Sequence, residues 1–226
     1  MILARLDPLA ESLFSFMAIV SLLLAFVMLG SRWVNNYLYA FAAESWVIAA
    51  LSATVGFYSG YHELYFIAIL TGLFRGLVLP YLLWRIVQRL NVAREIHEIL
   101  QPSSALVAGA LCVVFALAVG YRVGQSLGIA ATVAVLALTV MLSLKLIGFL
   151  MLAVRHEALS QILGLLLLEN GIFLGAQILV PGMPLLIEIV ILFDLLVVVA
   201  CFGVLVQYLL AHAGTTSSLE LKRLVG

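Results

Sequence analysis

Glu169 and Asn170 stand side by side in the middle of QILGLLLLENGIFLGA (161–176), a run otherwise built mainly of leucine, isoleucine and glycine. Glu44, Arg75, Lys145, Glu188 and Asp194 fall inside similar apolar runs. Hydrocarbon offers such groups no partner, and an Arg, Lys or Asp at the centre of a membrane helix costs about 2.5–3.5 kcal/mol. They are therefore expected to face the bundle interior or water, and to pair or neutralise one another. The chemistry open to them is proton handling. Desolvation disfavours the ionised form of a carboxyl group and a nearby cation favours it, so a site balanced between the two takes up and releases protons. A series of such sites relays protons where each hop is within hydrogen-bond reach. Neighbouring helices lie about 8–10 Å apart, so bridging water has to close some of the gaps.

A plainer role stays open for each residue. Glu and Asn also serve as hydrogen-bonding glue between membrane helices, and Arg75 would then neutralise a structural carboxylate. Glu44 and Glu188 lie nearer the ends of their runs, where an interface would wet them. Arg75, Glu169 and Asp194 lie near mid-span, and Lys145 lies too deep to snorkel well. Together the six read as a band of acid and base across the middle of the membrane.

Other chemistries lack their equipment. His62, His97, His156 and His212 fall in loops or at helix ends, which leaves a midplane haem without ligands. Cys112 and Cys201 sit in apolar runs with no metal-ligand spacing. No glycine-rich phosphate loop occurs, and the last apolar run has no lysine for a retinal Schiff base. No metal, no cofactor and no nucleic-acid partner are expected.

The elements that must position these residues follow from composition. Of 226 residues, 65% are hydrophobic and only 10% charged, against about 25% charged in soluble domains. The apolar runs approach the roughly 20 residues that cross a bilayer as helix. The expected fold is all-α, a polytopic bundle of about seven transmembrane helices near 9–30, 37–59, 64–88, 104–120, 128–153, 159–180 and 185–211. The start, MILARLDPLAESLFSF, reads as part of the first span rather than a cleaved signal, because its charges are mixed and the run after it is too long. The stretch 85–101, RIVQRLNVAREIHEILQ, is amphipathic and is expected to lie along the membrane surface.

Basic residues set the orientation. Arg5 and Arg122 fall on the side of the N-terminus, while Arg32, Arg85, Arg89, Arg94, Arg155, Lys222 and Arg223 fall on the other. The N-terminus is thus expected outside and the C-terminus in the cytoplasm. Gly72 and Gly76 flank Arg75, and Gly171 and Gly175 follow Glu169, both at a spacing that lets helices approach. Pro80 is expected to bend the third span.

QILGLLLLENGIFLGAQILV followed by LLIEIVILFDLLVVVACFGVLV resembles the C-terminal part of the hydrogenase-4 component E family, membrane subunits of formate hydrogenlyase-type and related group 4 [NiFe]-hydrogenases. The tail SSLELKRLVG and the third span AILTGLFRGLVLPYLLWRI fit the same layout, with Arg75 where a basic residue is expected. Spans five to seven also resemble the small three-helix membrane subunit of respiratory complex I and, more distantly, the C subunit of Mrp-type cation/proton antiporters. That subunit carries a carboxylate in each of its last two helices. Asp194 matches one position, and Glu169 lies about one turn after the other, with Asn170 in the local match.

The resemblance implies three regions: 1–103, three helices and the interfacial segment; 104–127, the fourth span and its loop; and 128–226, the complex I-like unit. It implies a non-redox subunit of a proton- or sodium-translocating assembly in the inner (plasma) membrane of a prokaryote. Its partners would be large antiporter-like subunits, other membrane subunits and a peripheral hydrogenase arm. Glu169 and Asp194 would be protonatable relay sites, tuned by Arg75 and Lys145, with Glu188 as an outer exit. A subunit of a multisubunit antiporter and a structural membrane spacer are the alternative readings.

Overall fold

The computed structural model describes residues 8–60, 62–90, 101–126, 132–155 and 158–179, with nine positions between 186 and 204. These residues are almost entirely helical, and no extended strand occurs among them. The helices are α1 (Pro8–Gly30), α2 (Val34–Ser59), α3 (Glu63–Leu73), α4 (Leu79–Leu90), α5 (Pro102–Ser126), α6 (Thr132–Val154) and α7 (Ala158–Leu179). A π-helical turn, Phe74–Val78, joins α3 to α4 in one continuous rod. Five stretches are long and apolar enough to cross a membrane: Pro8–Gly30, Val34–Tyr58, Glu63–Gln88, Pro102–Ser126 and Val133–Val154.

These five match the first five expected spans, with the fourth running on to Ser126, past the 120 that hydropathy suggests. Arg122 and Gln125 depress hydropathy there without breaking the helix. The 22-residue α7 covers the expected sixth span. In the expected seventh, the described positions are helical and their large apolar side chains are exposed. Glu188 and Asp194 lie outside the described residues, as do positions 91–100 of the expected interfacial helix.

Small residues govern the packing. The α6 and α7 helices form the most extensive pair, and Gly148 and Gly164 stand where they cross. A Cβ added at Gly148 would meet the Gly164 carbonyl oxygen at 2.7 Å, and one at Gly164 would meet the Gly148 carbonyl at 3.0 Å. Backbone cannot yield as a flexible side chain does, so the close approach requires glycine on both sides. Gly148→Val is expected to force the pair apart and cost about 1–3 kcal/mol, the usual penalty of overpacking. A lowered midpoint of thermal unfolding in detergent would register it; an unchanged midpoint would mean the crossing is looser than the structure shows.

At the end of α6, Arg155 is 1% exposed and therefore structural. Its Nη2 donates to the Leu29 carbonyl at 2.7 Å and to that of Ser31 at 3.4 Å. Its guanidinium lies 5.2 Å from the Tyr37 ring centroid, and its own carbonyl accepts from Gln161 Nε2 at 2.9 Å. A cation here satisfies carbonyls left over at the end of α1 and ties the α1–α2 turn to the α6–α7 turn. Arg155 therefore leaves the set of loop charges that suggested an orientation, although the remaining imbalance keeps its sign.

Candidate functional site

Polar side chains from α1, α2, the π-turn and α7 meet inside the bundle. Ser21 Oγ donates to Glu44 Oε1 at 3.0 Å. Asn170 Nδ2 donates to the other oxygen, Glu44 Oε2, at 3.2 Å. The Asn170 carbonyl oxygen accepts from Arg75 Nη1 at 2.7 Å. Arg75 Nη2 lies 3.6 Å from Glu169 Oε2, an ion pair longer than a hydrogen bond. Ser21, Glu44, Arg75 and Asn170 are all 0% exposed, whereas the Glu169 side chain keeps 13%. Five residues thus form one connected series, with Glu169 at its accessible end.

Each member is placed by its helix. The α2 helix begins at Val34, so Glu44 lies ten residues in, about 15 Å along the axis at roughly 1.5 Å per residue. That is half of a hydrocarbon core about 30 Å thick. The expectation that Glu44 sits near the span's end and is wetted there is thus corrected, because the helix starts three residues earlier than 37. Glu44 is buried and level with Asn170.

Arg75 owes its position to the π-turn. Pro80 has no N–H, so the Gly76 carbonyl loses its ordinary helical donor. The Leu79 N–H reaches back to the carbonyl of Phe74, five residues away, which widens the turn. Proline thus acts here by changing the hydrogen-bond register. Gly76 is required for a further reason: a Cβ there would lie 2.8 Å from Trp46 Nε1. The gap expected from the Gly72–Gly76 spacing is filled by the Trp46 ring rather than by a neighbouring backbone.

On α7, Phe173 lies one turn after Glu169 and Asn170, and its ring centroid is 5.7 Å from the Arg75 guanidinium carbon. The aromatic face adds a favourable contact for the buried cation. Gly171 meets α6, where an added Cβ would stand 2.9 Å from Leu144 Cβ and 3.0 Å from the Met141 carbonyl. This contact fixes the rotation of α7, so Asn170 reaches α2 and Arg75. Arg75 Nε is buried and has no hydrogen-bond partner among the described residues.

A second polar pair lies further along the same two helices. Gln177 Nε2 donates to Ser52 Oγ at 2.5 Å, and Ser52 Oγ donates to the Ile48 carbonyl at 3.0 Å. Gln177 follows Asn170 by seven residues and Ser52 follows Glu44 by eight, close to two helical turns. Ser21, Ser52 and Gln177 were not among the expected site residues. For Ser52 and Gln177 the available signal was periodic, since polar residues two turns from an intramembrane charge share its face; no such signal marks Ser21, whose helix has its one acidic residue, Glu11, in the first turn.

Lys145 occupies a different place. It is half-buried and lines a cavity of about 210 Å³ between α5 and α6, with Phe115, Ala116, Val119, Leu142, Leu146 and Phe149. Among the described residues it makes no hydrogen bond or ion pair. Of the six expected residues, the structure brings together Glu44, Arg75 and Glu169, keeps Lys145 apart, and leaves Glu188 and Asp194 outside the described residues.

No protein-family profile matches the chain, and no solved structure does. Over 132 residues the chain is 33% identical to a protein of Mycobacterium tuberculosis (strain ATCC 25618 / H37Rv) described as "Uncharacterized protein Rv0085". The match covers 58% of this chain and 59% of that protein.

Proposed function

We propose that this chain is a non-redox, multi-pass subunit of a proton- or sodium-translocating hydrogenase or related complex I-like oxidoreductase, in the inner (plasma) membrane of a prokaryote. Its N-terminus is then outside and its C-terminus cytoplasmic. The buried series Glu44–Asn170–Arg75–Glu169 is one station in a lateral relay. The observation that carries this reading is a single guanidinium that faces Glu169 directly and is linked through Asn170 to a second carboxyl group, Glu44, on another helix. The series holds two carboxyl groups and one guanidinium, so one carboxyl is left to be balanced by a mobile proton or cation. Asn170 transmits the field of Arg75 to Glu44 without titrating. Glu169, the more exposed of the two carboxyls, exchanges ions with its surroundings, while Glu44 holds the inner end.

The resemblance of the last three spans supports placing Asp194 as the next protonatable site, Lys145 as a tuning charge and Glu188 as an outer exit. Neighbouring stations then belong to antiporter-like subunits, and the electron chemistry to a peripheral hydrogenase arm. The test is purification of the tagged chain from its native membrane. Co-isolation of a nickel–iron subunit with iron–sulfur proteins is expected, and isolation with cation/proton antiporter subunits alone would move the site to the antiporter reading. Within the assembled complex, Glu169→Gln is expected to lower redox-linked ion movement at least about a hundred-fold, the low end of the loss when a positioned proton-transfer group is removed. Normal pumping by a fully assembled variant would remove Glu169 from the path.

A further inference from the structure

Lys145 is the charge that the buried series does not use. It lies thirteen residues from Thr132 and nine from Val154 in α6, about 20 and about 14 Å of helix at 1.5 Å per residue. Neither distance is within reach of a lysine side chain, so its ammonium cannot snorkel to a headgroup. The groove it lines is apolar, with Ala116 on α5 and the rings of Phe115 and Phe149. Both rings are exposed, at 61% and 58%. The groove therefore opens outward, away from the face of α6 that carries buried Leu144, Ile147 and Met151. Beside it, α5 is the least covered of the five membrane-length helices, at 22% against 33–56% for the others.

We infer that the α5–α6 groove receives a transmembrane helix of another membrane subunit, and that this helix carries an aspartate or glutamate at mid-depth to pair with Lys145. Charge and depth decide the occupant. Acyl chains offer the ammonium no acceptor, and lipid phosphates lie at the surface. Among the described residues a second copy of this chain offers Glu44, which is fully buried, and Glu169, which is already engaged with Arg75; Glu188 and Asp194 lie outside them, and the experiment below separates that source from another protein. Apolar walls suit a helix face, and a small floor residue admits close approach. An intramembrane ammonium is expected to meet an opposite charge. The inference extends the reading of the chain as one subunit of a larger assembly. It is measured by association, whereas the buried series is measured by ion movement, so either can fail alone.

The experiment places a photo-crosslinking residue at Phe149, on the groove's rim, in the tagged full-length chain in its native membrane. The expected adduct is a transmembrane peptide of a different membrane protein containing an Asp or Glu. Lys145→Met should reduce that adduct at least ten-fold while the chain stays in the membrane at its normal level, and Lys145→Arg should keep it. Lys145→Glu combined with a lysine in place of the partner's carboxylate should restore it. Adducts only to lipid, to a second copy or to residues 180–226 of the same chain would overturn the assignment. So would a partner peptide without a carboxylate, or a Lys145→Met adduct of unchanged yield.

Discussion

Arg75→Leu is expected to cost about 3–5 kcal/mol of stability, the range seen when one member of a buried charge pair is removed, and to stop ion movement. The leucine leaves the Asn170 carbonyl oxygen without its 2.7 Å donor and deprives both carboxyl groups of their cation. The contact with Phe173 is lost as well. Arg75→Lys should fall between leucine and the native protein. A point ammonium cannot reproduce a planar fork that holds Asn170 with one nitrogen and faces Glu169 with the other. Thermal unfolding in detergent measures the loss. A companion variant separates charge from shape: Glu169→Gln in the Arg75→Leu background should recover part of the stability, with a coupling of about 0.5–3 kcal/mol. Strictly additive effects would mean that the 3.6 Å pair contributes little.

The residues at stake show how far composition and hydropathy reach. Arg75 and Glu169 were legible because an ion among leucines stands out whatever the helix does around it. The helices α1 to α7 were legible for the same reason, since membrane spans are long and their apolar runs continuous. Direction was not legible. In a span that is apolar all round, hydrophobic periodicity does not mark the inner face. Arg75, turned inward, and Lys145, lining an outward groove, therefore look alike in sequence. Depth was legible only as well as helix ends were. Three residues of α2 before the expected start move Glu44 from an apparent rim position to the middle of the bundle. Arg155 looked like a loop charge because nothing local shows that the carbonyls of Leu29 and Ser31 stand opposite it. That pairing spans more than 120 residues and belongs to tertiary structure alone.

Glu44→Gln distinguishes a relay from interhelical glue, because glutamine preserves the hydrogen bonds and removes the titration. Its carbonyl oxygen can take the place of Oε2 and accept from Asn170 Nδ2, now 3.2 Å away. Its amide then faces Ser21, whose hydroxyl can rotate from donating to accepting. No buried group is orphaned, so the fold should hold to within about 1 kcal/mol, less than a typical unsatisfied polar group costs. Ion movement should nevertheless fall at least about a hundred-fold, again the low end for loss of a positioned proton-transfer group. Glu44→Leu is the control in the other direction. It strands Asn170 Nδ2 and the Ser21 hydroxyl and removes the carboxyl at the inner end of the series, and it should lose both stability and transport. If Glu44→Gln transports ions at the native rate while Glu44→Leu unfolds, the carboxyl serves only to hold α1, α2 and α7 together. If Glu44→Gln assembles normally and its transport fails, the proton on Glu44 is part of the mechanism.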